Sequence, residues 1–203
     1  MVLFRNIFPQ FRYTLFKKLN VPKDAAILDF GCGKPGPSLT KRWMPDSHYD
    51  GFYLLTDEVP LKSQITDNYD LVVSNHVVEH LRKPMETIHW LCTKVKQNGL
   101  IYLAFPSPHS VSLPRAKGTL NFSDDPTHIW LPDPIAICNL LMESGFRLES
   151  AGITRSPLRV IIGAFILPWA LLRRALTGSM NARGLWDLLG FEYHIAARRH
   201  GQA

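Results

Sequence analysis

The segment "ILDFGCGKPGPS", residues 27–38, could do chemistry through its spacing. Read as Gly31-x-Gly33-x-x-Gly36 it spells a dinucleotide-binding fingerprint, and read as Asp29-x-Gly31-x-Gly33 it spells the start of a methyl-donor site. Both need glycines, because a backbone that turns tightly against a ligand has no room for side chains. Both also use the helix N-terminus that follows, which favours negative charge. Asp29 separates the two readings. A carboxylate at that strand end repels a pyrophosphate, whereas the ammonium and sulfonium of S-adenosylmethionine are stabilised by it.

A second cluster, "HVVEH", brings together His76, Glu79 and His80. Its H-x-x-E-H spelling is that of an inverted zinc-peptidase motif. Such a site needs both histidines on one helical face and a third ligand. Here the run continues directly from an apolar strand, and Val77 and Val78 nucleate a helix poorly. A third candidate, His128, lies in "DDPTHIWLPDP", after a loop of prolines and small residues. An imidazole, with an ordinary pKa of about 6.5, suits a general base, so His80 or His128 is expected to take a proton from an acceptor. Glu79 and His80 could equally cap and buttress the loop, and His128 could face solvent. His48, His89, His109, His194 and His200 have no arrangement that singles them out.

These residues need elements to hold them. "AAILDF", "YDLVVSN", "LIYLAFPSP", "FRLESAGI" and "FEYHIAARR" read as strands. "PSLTKRWM" can open a helix with Pro37 in its first turn, and Pro84 opens another that presents Ile88, Leu91, Cys92 and Val95 on one face before Asn98-Gly99 stops it. "DPIAICNLLMESGF" is a third helix, ending at Gly145. Strands alternating with helices imply a doubly wound, mostly parallel α/β sheet, with ligands at the carboxyl ends of the strands. Residues 31–36, 75–80 and 105–109 then share one rim.

The 203-residue chain carries a formal charge of +6, unevenly placed. Residues 1–23 hold five Lys/Arg and no acid, residues 155–203 seven against two, and residues 24–154 eleven against fifteen acids. That central deficit disfavours a nucleic-acid groove, and the basic ends suit an anionic surface such as a membrane leaflet. The three cysteines, Cys32, Cys92 and Cys138, form no C-x-x-C pair and leave one over, which fits a reducing compartment. A cytoplasmic location, extending to the inner face of a membrane, is expected.

No run reaches the roughly 18 consecutive apolar residues of a spanning helix. The longest, Val160 to Leu172, contains Pro168. It belongs to an apolar, arginine-rich insertion at about residues 155–189, suited to a membrane interface, the substrate cleft or a dimer contact. Residues 1–23 read as an amphipathic helix broken near Pro9, packed on the domain or touching a membrane, and residues 24–203 as the main domain.

Over residues 24–150 the chain resembles the class I S-adenosylmethionine-dependent methyltransferases of small-molecule type. The resemblance rests on "ILDFGCG", "TDEVPL", "YDLVVSNHVVEHL", "NGLIYLAFPSP" and "DPTHIWLPDPIAICNLLMESGF" in that order, with "FEYHIAARR" like the family's antiparallel last strand. It implies a Rossmann-like, seven-stranded type of sheet in which Asp29, Gly31, Cys32, Gly33 and Gly36 hold the amino-acid end of S-adenosylmethionine. Asn75 would border the sulfonium, and Phe105 and Pro106 would line the acceptor side. Asp50, by its distance from the loop, or Asp57, in "LLTDEVPL", would meet the ribose or adenine. Too few residues separate "DGFYL" from "NYDLVV" for a full helix-strand unit, so the sheet is expected to be shortened between its second and fourth strands.

Some relatives use acids and histidines at this motif to hold a divalent cation. They carry an acid where this chain has His76, which disfavours magnesium, and no metal is expected. The resemblance implies methyl transfer to a hydroxyl or other nucleophile of a small or lipid-linked acceptor. The alternative is a catalytically lapsed, membrane-associated binding or scaffold protein. The oligomeric state is open.

Overall fold

The computed structural model describes residues 11–32, 43–52, 65 and 68–201. Six strands form one sheet: β1 (Ala26–Phe30), β2 (His48–Phe52), β3 (Tyr69–Asn75), β4 (Val95–Pro106), β5 (Phe146–Ile153) and β6 (Glu192–Arg199). Their order is β2-β1-β3-β4-β6-β5, with β1, β2, β3 and β4 parallel and β6 antiparallel to both β4 and β5. This is the expected doubly wound sheet with an antiparallel last strand. Among the described residues no strand lies beyond β2; residues 53–64, where the shortening was expected, lie outside them.

Period-two alternation puts one row of each inner strand into each of two cores. On β4, Ile101, Leu103 and Phe105 join one cluster, and Leu100, Tyr102 and Ala104 the other. The first cluster is covered by α2 (Pro84–Thr93) and α3 (Pro134–Glu143), which bury Ile88 and Leu91, and Ile137 and Leu141. The second is covered by α1 (Phe11–Lys18), which buries Tyr13, Leu15 and Phe16, with Phe16 edge-on to Tyr102 at 5.3 Å. Burying such a side chain contributes about 1.5–3 kcal/mol. The described part of the N-terminal helix is thus packed on the sheet.

Two details differ from the sequence reading. α2 stops at Thr93 rather than Asn98-Gly99, because Val95 already pairs with Tyr69 as the first residue of β4. The apolar spacing that made Val95 look helical is met equally by a buried strand residue. Phe105, expected to line the rim, is fully buried and stacks on Tyr193 at 5.9 Å, since it shares the helix-covered face with Leu103.

Between β5 and β6 the chain forms α4 (Pro157–Thr177) and the short α5 (Trp186–Leu189). α4 meets α5 through Gly163, where an added Cβ would lie 2.9 Å from both the Gly184 oxygen and the Leu188 Cβ. Only a residue without a side chain allows that approach.

Candidate active site

Asp29 sits at the carboxyl end of β1, 8% exposed, and accepts a hydrogen bond from the Tyr49 hydroxyl at 3.1 Å. Arg12 of α1 is near enough to feel its charge: burial would lower the guanidinium's pKa, but Tyr13, Asp29 and Tyr102 hold it above the ordinary value. After Asp29 the chain turns at Gly31 (φ +82°), and the N–H groups of Gly31 and Cys32 both donate to the Phe52 carbonyl at the end of β2. A Cβ on Gly31 would collide with the Val77 side chain, so Gly31 lies directly against the chain leaving β3. Gly33, Gly36 and Asp57 lie outside the described residues.

Asp50 is placed elsewhere. It pairs with Leu28, one residue out of step with Asp29 and Gly51, so its side chain emerges on the opposite sheet face. There it accepts a bond from the Tyr69 hydroxyl at 3.0 Å. The structure therefore does not bring Asp50 to Asp29. Asn75 ends β3 beside Ala104 of β4, half-buried on the rim.

At the next residue, His76, the backbone reverses (φ +56°). Its Nδ1 lies 3.1 Å from Glu79 Oε1 and its Nε2 2.9 Å from Glu192 Oε2, while the ring packs against Trp186 and Phe191. Burial alone would lower its pKa, but the bonds to Glu192 and Glu79 and their charges prevail and raise it to about 9. For Glu192 burial would raise the pKa, yet His76 holds it below the ordinary value. His76 is thus a protonated bridge between two carboxylates, with no lone pair for a metal, which removes the zinc-peptidase reading. The sequence reading missed Glu192. Its signal was positional: an antiparallel closing strand must begin at the rim where the parallel strands end.

Beyond His76 a 3₁₀ turn, Val78–His80, carries the candidate base. The Glu79 carbonyl accepts the N–H groups of both Ile129 and Trp130, at 3.0 and 3.2 Å, and so fastens the distant His128 segment to this turn. The loop before it is internally tied, with Asp124 Oδ2 accepting from the backbone of Ala116, Leu120 and Asn121 at 3.0, 2.9 and 2.8 Å. His80 and His128 come together with ring centroids 4.9 Å apart, and the His128 side chain is only 4% exposed rather than solvent-facing.

The tautomers follow from the acceptors. His80 Nδ1 is 3.1 Å from the Thr127 carbonyl and His128 Nδ1 is 2.7 Å from the Phe122 carbonyl. A carbonyl only accepts, so each Nδ1 carries a proton, and Nε2 is the atom left to exchange one. Asp125 accepts from the Thr127 backbone and hydroxyl at 2.9 and 2.6 Å. Burial would raise the Asp125 pKa, but those donors and the charges of His128 and His80 hold it low.

Glu79, His80 and His128 each offer a ligand atom within 4.8 Å of the others. Glu79 is 0% exposed, and its Oε2 is buried without a hydrogen-bond partner. Two imidazoles and one carboxylate suit a transition ion with an open coordination position better than magnesium. The same three groups without an ion form a base pair of histidines beside a carboxylate.

A family model described as "Methyltransferase domain" matches residues 5–151. The chain belongs to the methyltransferase-domain family. Its fold is that of S-adenosylmethionine-dependent methyltransferases. Among solved structures it is similar to an S-adenosylmethionine-dependent methyltransferase from Archaeoglobus fulgidus, at 18% identity and a TM-score of 0.58, covering 93% of each chain. It is also similar to one from Mesorhizobium loti, at 14% identity and a TM-score of 0.54, covering 94% of this chain and 99% of that one. A third is a coclaurine N-methyltransferase bound to N-methylheliamine and S-adenosylhomocysteine, at 12% identity and a TM-score of 0.52, covering 92% and 70%. No curated protein sequence matches the chain. In this methyltransferase, the contact between Gly31 and Val77 puts the end of β1 beside the turn that bears Glu79 and His80.

Proposed function

We propose that this methyltransferase moves a methyl group from S-adenosylmethionine to a hydroxyl, or another protonated nucleophile, of a small or lipid-linked acceptor seated over His80 and His128. The observation that carries this reading is the pairing of His80 and His128, each oriented through Nδ1 by the Thr127 or Phe122 carbonyl, one turn from Gly31. S-adenosylmethionine bound beside Asp29 would supply the methyl group to the acceptor oxygen and leave as neutral S-adenosylhomocysteine. The acceptor proton would pass to Nε2 of His80 or His128. In-line positioning supplies most of the rate, and the base adds to it.

His80→Ala is expected to lower methyl transfer about 10²–10⁴-fold, the usual contribution of a positioned base, with donor affinity unchanged. Transfer of radiolabelled methyl groups to fractionated cell extract, alongside donor-binding titration, reads both quantities. Undiminished transfer in the variant rules His80 out as the base. The second reading, a lapsed enzyme serving as a binding subunit, draws on Asp50, whose tie to Tyr69 turns it away from Asp29. Donor binding or its absence, with no fraction labelled by the wild type, favours that reading.

A further inference from the structure

α4 presents two unlike faces. Toward the protein it turns Gly163 and Ala170, both buried, the first against Leu188 and the second into a cluster with Leu113, Leu120, Leu185 and Phe191. Away from it, Leu158, Ile161, Phe165, Trp169, Leu172 and Leu176 recur every three or four residues and are exposed, Phe165 at 76% and Trp169 at 73%. Spacing of this kind makes one continuous stripe along a helix. A stripe of large apolar side chains left in water marks a surface that something covers. α4 also lies outside residues 5–151, the part that matches the methyltransferase family.

The charge around the stripe indicates what covers it. Residues 155–186 contain Arg155, Arg159, Arg173, Arg174 and Arg183 and no acid. Arg173 and Arg174 are exposed on the last turns of α4, where long side chains can reach back to headgroup phosphates. A second copy laid on this face would bring like charges together, whereas an anionic leaflet complements them. α4 is long and apolar enough to cross a bilayer by composition, but its inner face is fastened to α5 along its middle. A helix held against the protein body cannot be surrounded by lipid, and it fits the plane of the interface instead.

We propose that the outer face of α4 docks this protein on an anionic membrane, with the helix lying parallel to the surface and Phe165 and Trp169 in the headgroup–acyl boundary. Docking also orients the active site. α5 rests on α4, and its Trp186 rests on His76 at 5.1 Å between ring centroids, so a single layer separates the lipid face from the His76 rim. A lipid-linked acceptor would then meet the rim without leaving the interface. The docking itself does not depend on methyl transfer.

The test is flotation of the full chain with vesicles of phosphatidylcholine alone and of phosphatidylcholine mixed with phosphatidylserine, without donor. Phe165 and Trp169 are so exposed that Phe165→Ser/Trp169→Ser should leave the melting temperature unchanged. The expected result is flotation with the mixed vesicles, reduced about tenfold by that double variant and comparably by Arg173→Gln/Arg174→Gln or by high salt. Protein that stays at the bottom with both vesicle types overturns the proposal. So does a self-associated state in sedimentation that the Phe165→Ser/Trp169→Ser variant dissolves, since the face is then a contact between copies. Loss of flotation in a folded wild type leaves methyl transfer intact, so the two readings fail separately.

Discussion

Asp29→Ala is expected to weaken S-adenosylmethionine binding by about 2–4 kcal/mol, roughly 30- to 1000-fold in dissociation constant. The reason is electrostatic. Asp29 is almost fully buried at the end of β1, on the face where Tyr49 donates to it and Arg12 feels its charge. The donor's ammonium would supply a second positive partner there, in surroundings where water screens weakly. Alanine also removes the Tyr49 acceptor, so the cleaner variant is Asp29→Asn, which keeps an oxygen for that hydroxyl and loses only the charge. Both variants should bind the donor poorly, and Asp29→Asn should melt close to the wild type. Donor titration by calorimetry gives the affinities; wild-type affinity in Asp29→Asn would show that the carboxylate charge takes no part.

His76→Gln is expected to cost about 3–5 kcal/mol of folding stability, because it strips the cation from between the buried Glu79 and the half-buried Glu192. Glu79 and Glu192 are then left facing a neutral amide. The pH dependence identifies the cause. In the wild type the His76 pKa is raised to about 9 in the fold, so its stabilisation is fully present below the ordinary histidine pKa of about 6.5 and is lost as pH rises through 9. The Glu192 pKa is depressed, so its contribution is present above the ordinary carboxylate range and is lost as pH falls through the folded value. Wild-type unfolding free energy should therefore decline between pH 6.5 and 9, by roughly 2–4 kcal/mol. In His76→Gln that alkaline decline should vanish, and the variant should recover relative stability in acid as its glutamates take up protons. Urea titrations at several pH values read this directly. An unchanged alkaline decline would show that His76 is neutral in the fold.

The middle of the sheet was legible in the sequence because β1, β3 and most of β4 are buried on both faces and bounded by strong turn signals. Leu28, Leu71 and Leu103 are wholly buried, and the α3 helix ends just before Gly145, which turns with φ +83°. The end of α2 was not legible, since Val95 satisfies both a helical stripe and the start of a strand. The site was legible as a set of motifs. "ILDFGCG", "HVVEH" and "DPTHIW" pointed to Asp29, Glu79, His80 and His128, and the fold brings the last three together. What the motifs did not carry is the wiring. The Glu79 carbonyl that fastens residues 129 and 130, the carbonyls that set each tautomer, and the reach of Glu192 to His76 are contacts between distant segments. Spacing along a chain holds no record of them. The exposed stripe on α4 was legible only as apolar residues; which of them face outward depends on Gly163 and Ala170 meeting α5.

The placing of the end of β1 beside the histidine turn is meaningful only if the donor sits there. Isothermal calorimetry of the wild-type chain with S-adenosylmethionine and with S-adenosylhomocysteine measures this most directly. One-to-one binding of both, at micromolar dissociation constants of the order usual for enzyme substrates, is the expected result. No heat and no thermal stabilisation by either ligand at millimolar concentration would contradict a methyl-donor site between Asp29 and Val77.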